Sequence, residues 1–476
     1  MSIEIKSRQD LTLELYRKVA WNGETVTIHP DTVKKIDESR KEFETFMANH
    51  PDLKVYGYNI HAGDGASRSL SAEDAEEYLH GLGSGVTFGE SLPQRVIRGI
   101  VLARLPGILG GNSAVRGVFA QHIASMLERP ELPNVPIVSG GSGEINPLGM
   151  LFGNVPNELR LVAKEPMVLI NGHPCASSMA ADAYLRSVGT VKVIEEICGL
   201  VADALEAPMT HFAPQLELVW DDPDEQAGLR TIRGLLEGYT TPRRIKQALV
   251  SVRDIPLMLG TLYKTQRQLQ EVAGNILKSV SDNPIFMPSA PGVESDVMSN
   301  ASYHNQSAIV AIDQLNRCYA DLCAQFEAFI NGFYLDHTAI PSMDNTCLGV
   351  LMMPGSAWMD EARMLATPSV LSGPQPGQND LTSTTFQAFR KNMEAERCVL
   401  ACAAIAAALA SQSFGETNRT PAPKLVPVLD AVQSVFPKVK LRRNIGDKLN
   451  GLFELLLKAS FNYSAADEKP ASALSL

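Results

Sequence analysis

Apolar residues return every three to four positions over most of this chain, the period of a helix with one face against a core. The segments 176–208, 224–238, 243–279, 301–333 and 384–414 carry it at length, so each is predicted to be a long helix. "LPQRVIRGIVLARLPGIL" and "AVRGVFAQHIASMLERP" are shorter amphipathic pieces closed by Pro or Gly. A further helix is predicted from about Asp31, with Asp31 or Thr32 as its cap and Pro51 beyond its end. "SAEDAEEYLHGL" opens on a serine and acids, as a helix N-terminus does. Alternation of period two is scarce, and "KEPMVLING" is the best short strand or buried extended piece. The Gly- and Pro-rich stretch Glu131–Gly153 reads as a loop. The pattern predicts an all-α protein: a loop-rich N-terminal domain over residues 1–175, then a bundle of long helices over residues 176–476.

Composition narrows the function classes. With 476 residues, 45% of them hydrophobic, the chain can bury a large core. A net charge of −11 argues against a general nucleic-acid binder, which needs a basic face. The seven cysteines are odd in number and form no CxxC, so neither a disulfide framework nor a zinc site is indicated, and a reducing compartment fits. The opening "MSIEIKSRQD" has no apolar run, and "CVLACAAIAAALA" is too short and alanine-rich to span a bilayer and reads as a buried helix. A cytoplasmic protein with no membrane or nucleic-acid partner is expected. No HExxH-type spacing suggests a metal, and "GLGSGVTFG" follows a helical pattern, not the strand a dinucleotide loop requires.

One stretch carries chemistry. "PIVSGGSGEINPLGML" packs Gly140, Gly141, Ser142 and Gly143 together, at an entropic cost that only a tight bend justifies. The simple reading is a turn leading into a helix N-terminus able to cradle an anion. The sharper reading is self-modification. In a tightly bent X-Ser-Gly, the glycine nitrogen attacks the carbonyl carbon of X. Loss of one water from the ring and one from the serine leaves a 4-methylidene-imidazol-5-one (MIO), a strong electrophile.

"GGSGEINPLGM" resembles the MIO loop of the aromatic amino acid ammonia-lyases, and other stretches resemble that family in the family's order. "VYGYNIHAGDG" is similar to its catalytic-tyrosine loop, "YLHGLGSG" to its selectivity segment, and "AKEPMVLINGHPCAS" to the segment with a substrate-contacting asparagine. "QALVSVR", "VSDNPIF", "ASYHNQ" and "GQNDLTS" follow in register, and the set spans roughly residues 20–415. The resemblance implies the aromatic ammonia-lyase fold and a homotetramer whose active sites combine loops from several subunits. It also implies a carbon–nitrogen lyase acting on an amino-acid-like small molecule, with no external cofactor. Tyr56 would be the base, Arg253 and Asn171 would hold the substrate carboxylate, and His80, Tyr303 and Asn379 would shape the pocket. Gly141, Ser142 and Gly143 would be the MIO-type loop.

Each assignment has a plainer counterpart: Tyr56 as a packed ring, Arg253 as a surface arginine, His80 as a residue ending a helix before Gly81. A tyrosine base must also be held below its free pKa of about 10. The chain departs from the family at Gly141, Glu144, Val250, Ser302 and Asn379, and at His61 and Asp64 in the tyrosine loop. These changes favour an uncyclised loop whose Ser142 hydroxyl and backbone amides donate hydrogen bonds. Without an MIO the substrate must bring its own leaving group, as a trimethylammonium betaine does. Ergothionase-like lyases resemble the family and fit that case, with Tyr58 and Tyr303 facing the cation. An aminomutase and a catalytically silent ligand-binding homologue complete the alternatives.

Overall fold

The computed structural model of the protein describes residues 2–61, 69–70, 85–140, 143–239, 243, 247–343, 347–370, 382–438 and 445–466. Helices dominate them, as the periodicity predicts. The long ones are Pro30–Asn49, Pro174–Ala204, Ile255–Ile276, Gln306–Leu335, Thr382–Thr417 and Gly446–Ala465. Strands among the described residues form two small ribbons. Ser2–Ile5 runs parallel to Thr25–Ile28 with Ser2 opposite Thr25, and Ile285–Met287 runs antiparallel to Asp296–Met298.

The chain folds into two compact units. The first comprises Met1–Asp182, Gln270–Val310 and Ser369–Arg390; the second comprises Ala183–Leu269, Ala311–Pro368 and Lys391–Leu476. Four of the five passages between units fall inside long helices and the fifth, at 368/369, lies in the chain after Met352–Leu365, so each unit is assembled from three separate stretches of sequence. The sequence-based division at 175/176 treats the chain as two consecutive blocks.

Local chemistry explains where the elements differ from expectation. The first long helix starts at Pro30, whose fixed φ suits a first turn, and its cap is the His29 imidazole accepting from the Asp31 amide at 3.1 Å. "KEPMVLING" is a helix, Glu165–Ile170, and not extended: Pro166 sits in its first turn, and the short apolar run is buried on all sides. The Glu131–Gly153 loop contains a helix, Ile145–Phe152. The 243–279 helix is interrupted, appearing as Val250–Arg253 and Ile255–Ile276. Pro256, with no amide hydrogen to donate, lies in the first turn of the second piece. "SAEDAEEYLHGL" lies outside the described residues. The alanine-rich stretch is part of Thr382–Thr417, which is long and apolar enough to cross a membrane, yet 94% of its most apolar window is buried inside the protein.

In the second unit the helices approach closely at Gly189. A Cβ there would overlap the Ser460 carbonyl oxygen. Beside it, Thr190 donates to Glu396, which also pairs with Arg186, all of them buried. Helix propensity alone favours Gly189→Ala by up to about 1 kcal/mol. Backbone overlap at a packed crossing costs about 1–3 kcal/mol or more and outweighs it. Gly189→Ala should therefore lower the urea midpoint; an unchanged or raised midpoint would mean that the crossing is loose.

Candidate functional site

The Tyr56 turn is built by Asn59. Its amide oxygen accepts from the Val55 amide at 2.7 Å and its amide nitrogen donates to the Leu53 carbonyl at 2.8 Å, so one side chain ties both ends of the bend. Gly57 takes φ +66°, and a Cβ there would stand 2.6 Å from Met167 Cε. The turn therefore lies directly on Met167, and a glycine is required for both reasons. Tyr56 is half-buried. The Tyr58 ring packs edge-on to Phe43 at 5.1 Å, in a cluster with Met47 and Phe286.

Met167 belongs to Glu165–Ile170, the helix that delivers Asn171. Buried Glu165 fixes the helix start by accepting from Arg116 Nε at 2.9 Å and Nη2 at 2.7 Å. The helix ends as Asn171 turns extended and Gly172 takes φ +117°. A Cβ on Gly172 would meet Arg104 Nη1 at 2.6 Å and Ser281 Oγ at 2.7 Å. Arg104 donates to the Asn171 carbonyl and to Asp282, whose other oxygen accepts from Ser113 Oγ at 2.7 Å. The Asn171 amide nitrogen lies 3.5 Å from Met167 Sδ, and its Oδ1 is buried without a partner among the described residues. Asn171 thus keeps hydrogen-bonding capacity beside the tyrosine turn.

The glycine-rich loop reaches the same unit. Its Gly140 carbonyl accepts from Asn146 at 3.0 Å. Gly143 takes φ +72°, and the Tyr303 ring lies 3.5 Å from where its Cβ would be. Next to Gly143, Glu144 is buried and accepts from the Cys175 and Ala176 amides, at 2.6 and 2.8 Å. These are free first-turn amides of Pro174–Ala204, so the carboxylate caps the long helix at its positive end. Burial pushes the Glu144 carboxyl up to about 7, against the pull of the Ala176 and Cys175 amides and of Arg104. Burial also lowers neighbouring His173 to about 4 and, at Lys164, moves the ammonium down to about 8. Lys164 donates to the Pro284 carbonyl at 2.6 Å.

Arg253 belongs to the second unit, at the end of Val250–Arg253. With the Gln247 amide oxygen turned towards it, that oxygen accepts from both terminal guanidinium nitrogens at 3.1 and 3.2 Å, and Nε is buried without a partner among the described residues. Val250, one of the departures from the family, is 70% exposed. Gly141, Ser142, His80 and Asn379 lie outside the described residues.

Two groups escaped the sequence reading. Glu144 was legible only as a departure from the family aspartate, not as the cap of a helix thirty residues on. Arg104 had a signal: a charged residue inside "RVIRGIVLARLPGIL" needs a buried partner, and "VSDNPIF" supplies Asp282.

A sequence profile of the aromatic amino acid lyases matches residues 11–434. Histidine ammonia-lyase of Geobacillus sp. (strain WCH70) is 25% identical, covering 90% of this chain and 91% of its own. That of Clostridium tetani is 26% identical, covering 81% and 82%. Among solved structures, ergothionase from Treponema denticola superposes with a TM-score of 0.83 at 18% identity, covering 97% and 99% of the two chains. Histidine ammonia-lyase from Trypanosoma cruzi gives 0.81 at 20%, covering 100% and 97%.

The helix start should show in the pH dependence of stability. Between its ordinary 4.5 and about 7, folded Glu144 holds a proton that the unfolded chain has released, so its contribution falls as pH rises through that window. His173 acts oppositely: folded, it lacks a proton between about 4 and 6.5 that the unfolded chain holds, so its contribution rises there. Glu144→Gln removes only the falling part. From pH 5 to 7.5 the parent should lose up to about 3 kcal/mol relative to the variant in urea unfolding. Parallel pH profiles would show that Glu144 is ionised throughout.

Proposed function

The chain belongs to the aromatic amino acid lyase family and is a carbon–nitrogen lyase; from that premise we propose that it expels an amine across the Cα–Cβ bond of an imidazole-bearing amino acid or its betaine. The observation that carries this reading is Asn171, an amide with unspent hydrogen-bonding capacity held through Met167 against the turn bearing Tyr56. Tyr56, as phenolate, takes the β proton. The C–H electron pair becomes the Cα=Cβ bond, and the C–N pair departs with nitrogen, leaving an α,β-unsaturated acid. Arg253 holds the carboxylate by its planar fork, with Asn171 assisting. Tyr303, His80 and Asn379 shape the pocket, and His80 suits an imidazole.

The leaving group depends on residues 141–143. In the reading we favour they stay uncyclised. The departures at Gly141, Glu144 and Val250 support this, as does the commitment of the Glu144 carboxylate to the helix start. Ser142 and nearby amides then stabilise developing charge, and a trimethylammonium group leaves as a neutral amine. Ergothionase, named as an ergothioneine-degrading enzyme, shares the fold. The histidine ammonia-lyase relatives favour a second reading, in which an MIO formed from Gly141, Ser142 and Gly143 supplies an electrophile for the substrate amine.

We also propose a cytoplasmic homotetramer with sites built from several subunits. Exposed Leu335, Met353 and Met364 on second-unit helices support the assembly, and seven unpaired cysteines support a reducing compartment.

Intact-mass measurement and product analysis separate the two readings. The favoured reading expects full sequence mass and trimethylamine from ergothioneine. A chain two waters light that releases ammonia from histidine would establish the second, and neither product from either substrate would overturn the lyase substrate class. Tyr56→Phe should cut turnover about a hundredfold or more while substrate still binds; parental rates would remove Tyr56 from the base role.

A further inference from the structure

A cavity of about 320 Å³ lies in the first unit between the strand-like approach to the glycine-rich loop and the start of Thr382–Thr417. Ile137 and Phe386 form apolar walls, Val370 lies at the exposed edge, and Ser139, Gln387 and Arg390 supply polar groups. Position 390 lies one helical turn from both 386 and 387, and all three line this space. Two features point to a ligand. Ser139 is 5% exposed, and its hydroxyl has no hydrogen-bond partner among the described residues, a costly condition for a buried polar atom. Arg390 has no carboxylate or carbonyl partner among the described residues, although its fork reaches the same cavity.

We propose that this cavity is a second small-molecule site, for a carboxylate carrying a compact apolar body. The Arg390 guanidinium receives the carboxylate by paired hydrogen bonds, Ser139 donates a further one, and the body lies between Ile137 and Phe386. The volume is at the lower end of small-molecule pockets and admits a molecule the size of an amino acid. Arg253, the proposed holder of the substrate carboxylate, is not among the residues lining it. Ser139 is three residues from Ser142, so occupancy bears on the loop that the proposed reaction uses.

The test is a binding measurement, independent of turnover. Calorimetric titration of the intact protein carrying Arg253→Gln should still detect 3-phenylpropionate, and the neutral 3-phenylpropionamide should bind at least about tenfold more weakly. Adding Arg390→Gln should weaken the acid by about tenfold or more and leave the amide unchanged. Ser139→Ala should leave the thermal midpoint of the free protein unchanged or raised, since its hydroxyl has no partner to lose, while shrinking the midpoint rise that 3-phenylpropionate produces. The proposal is overturned if the acid fails to bind, if acid and amide bind equally, or if Arg390→Gln leaves acid affinity intact. It is equally overturned if Arg390→Gln dissociates the assembly without affecting the acid, which would make the cavity a contact between copies of this chain.

Discussion

The buried pair of Arg104 and Asp282 is the interaction on which the first unit depends. Both side chains are almost wholly enclosed. Arg104 holds the Asn171 carbonyl, Asp282 holds Ser113, and the Asp282 carbonyl accepts from Asn300 at 3.1 Å. Asn300 in turn accepts from the Ser302 amide at 2.8 Å, immediately before Tyr303. One ion pair thereby positions two candidate substrate-contacting residues that lie more than a hundred positions apart. Breaking such a pair leaves a buried charge uncompensated, at about 3–5 kcal/mol. Its surroundings are shaped for it. Gly107 leaves space where a Cβ would overlap Asp282, and Gly172 leaves space for the Arg104 fork.

Charge around this pair is rationed by burial. Lys164 and His173 are driven towards their neutral forms, and Glu144 towards its protonated form, within one desolvated region. Glu144 also joins the glycine-rich loop to the start of Pro174–Ala204, the helix that follows Asn171. The loop and the Asn171 turn therefore share a support, and a change in the Glu144 proton is felt by both.

Much of the fold was legible because helical period and family order agree. Thr382–Thr417 extends its predicted span, 384–414, by a few residues at each end, and Gln306–Leu335 starts five residues later than the predicted 301–333 and ends two later. What was not legible depended on partners distant in sequence. "KEPMVLING" has no period long enough to separate a buried helix from a strand; the Arg116–Glu165 pair and Pro166 decide it. Tyr58 carries the same phenol as Tyr56 two residues earlier, and only the Phe43 cluster shows which ring is spent on packing. Glu144 read as one extra methylene, because the helix amides it caps are set by tertiary structure.

Hydrogen exchange on an Asp282→Asn variant tests most directly whether the ion pair positions the site. The substitution keeps the shape of the side chain and removes its charge. The account predicts faster amide exchange in peptides covering 169–173 and 299–304 as well as around residue 282, with the Gly446–Ala465 helix unchanged. Faster exchange confined to the peptide that contains residue 282 would contradict it.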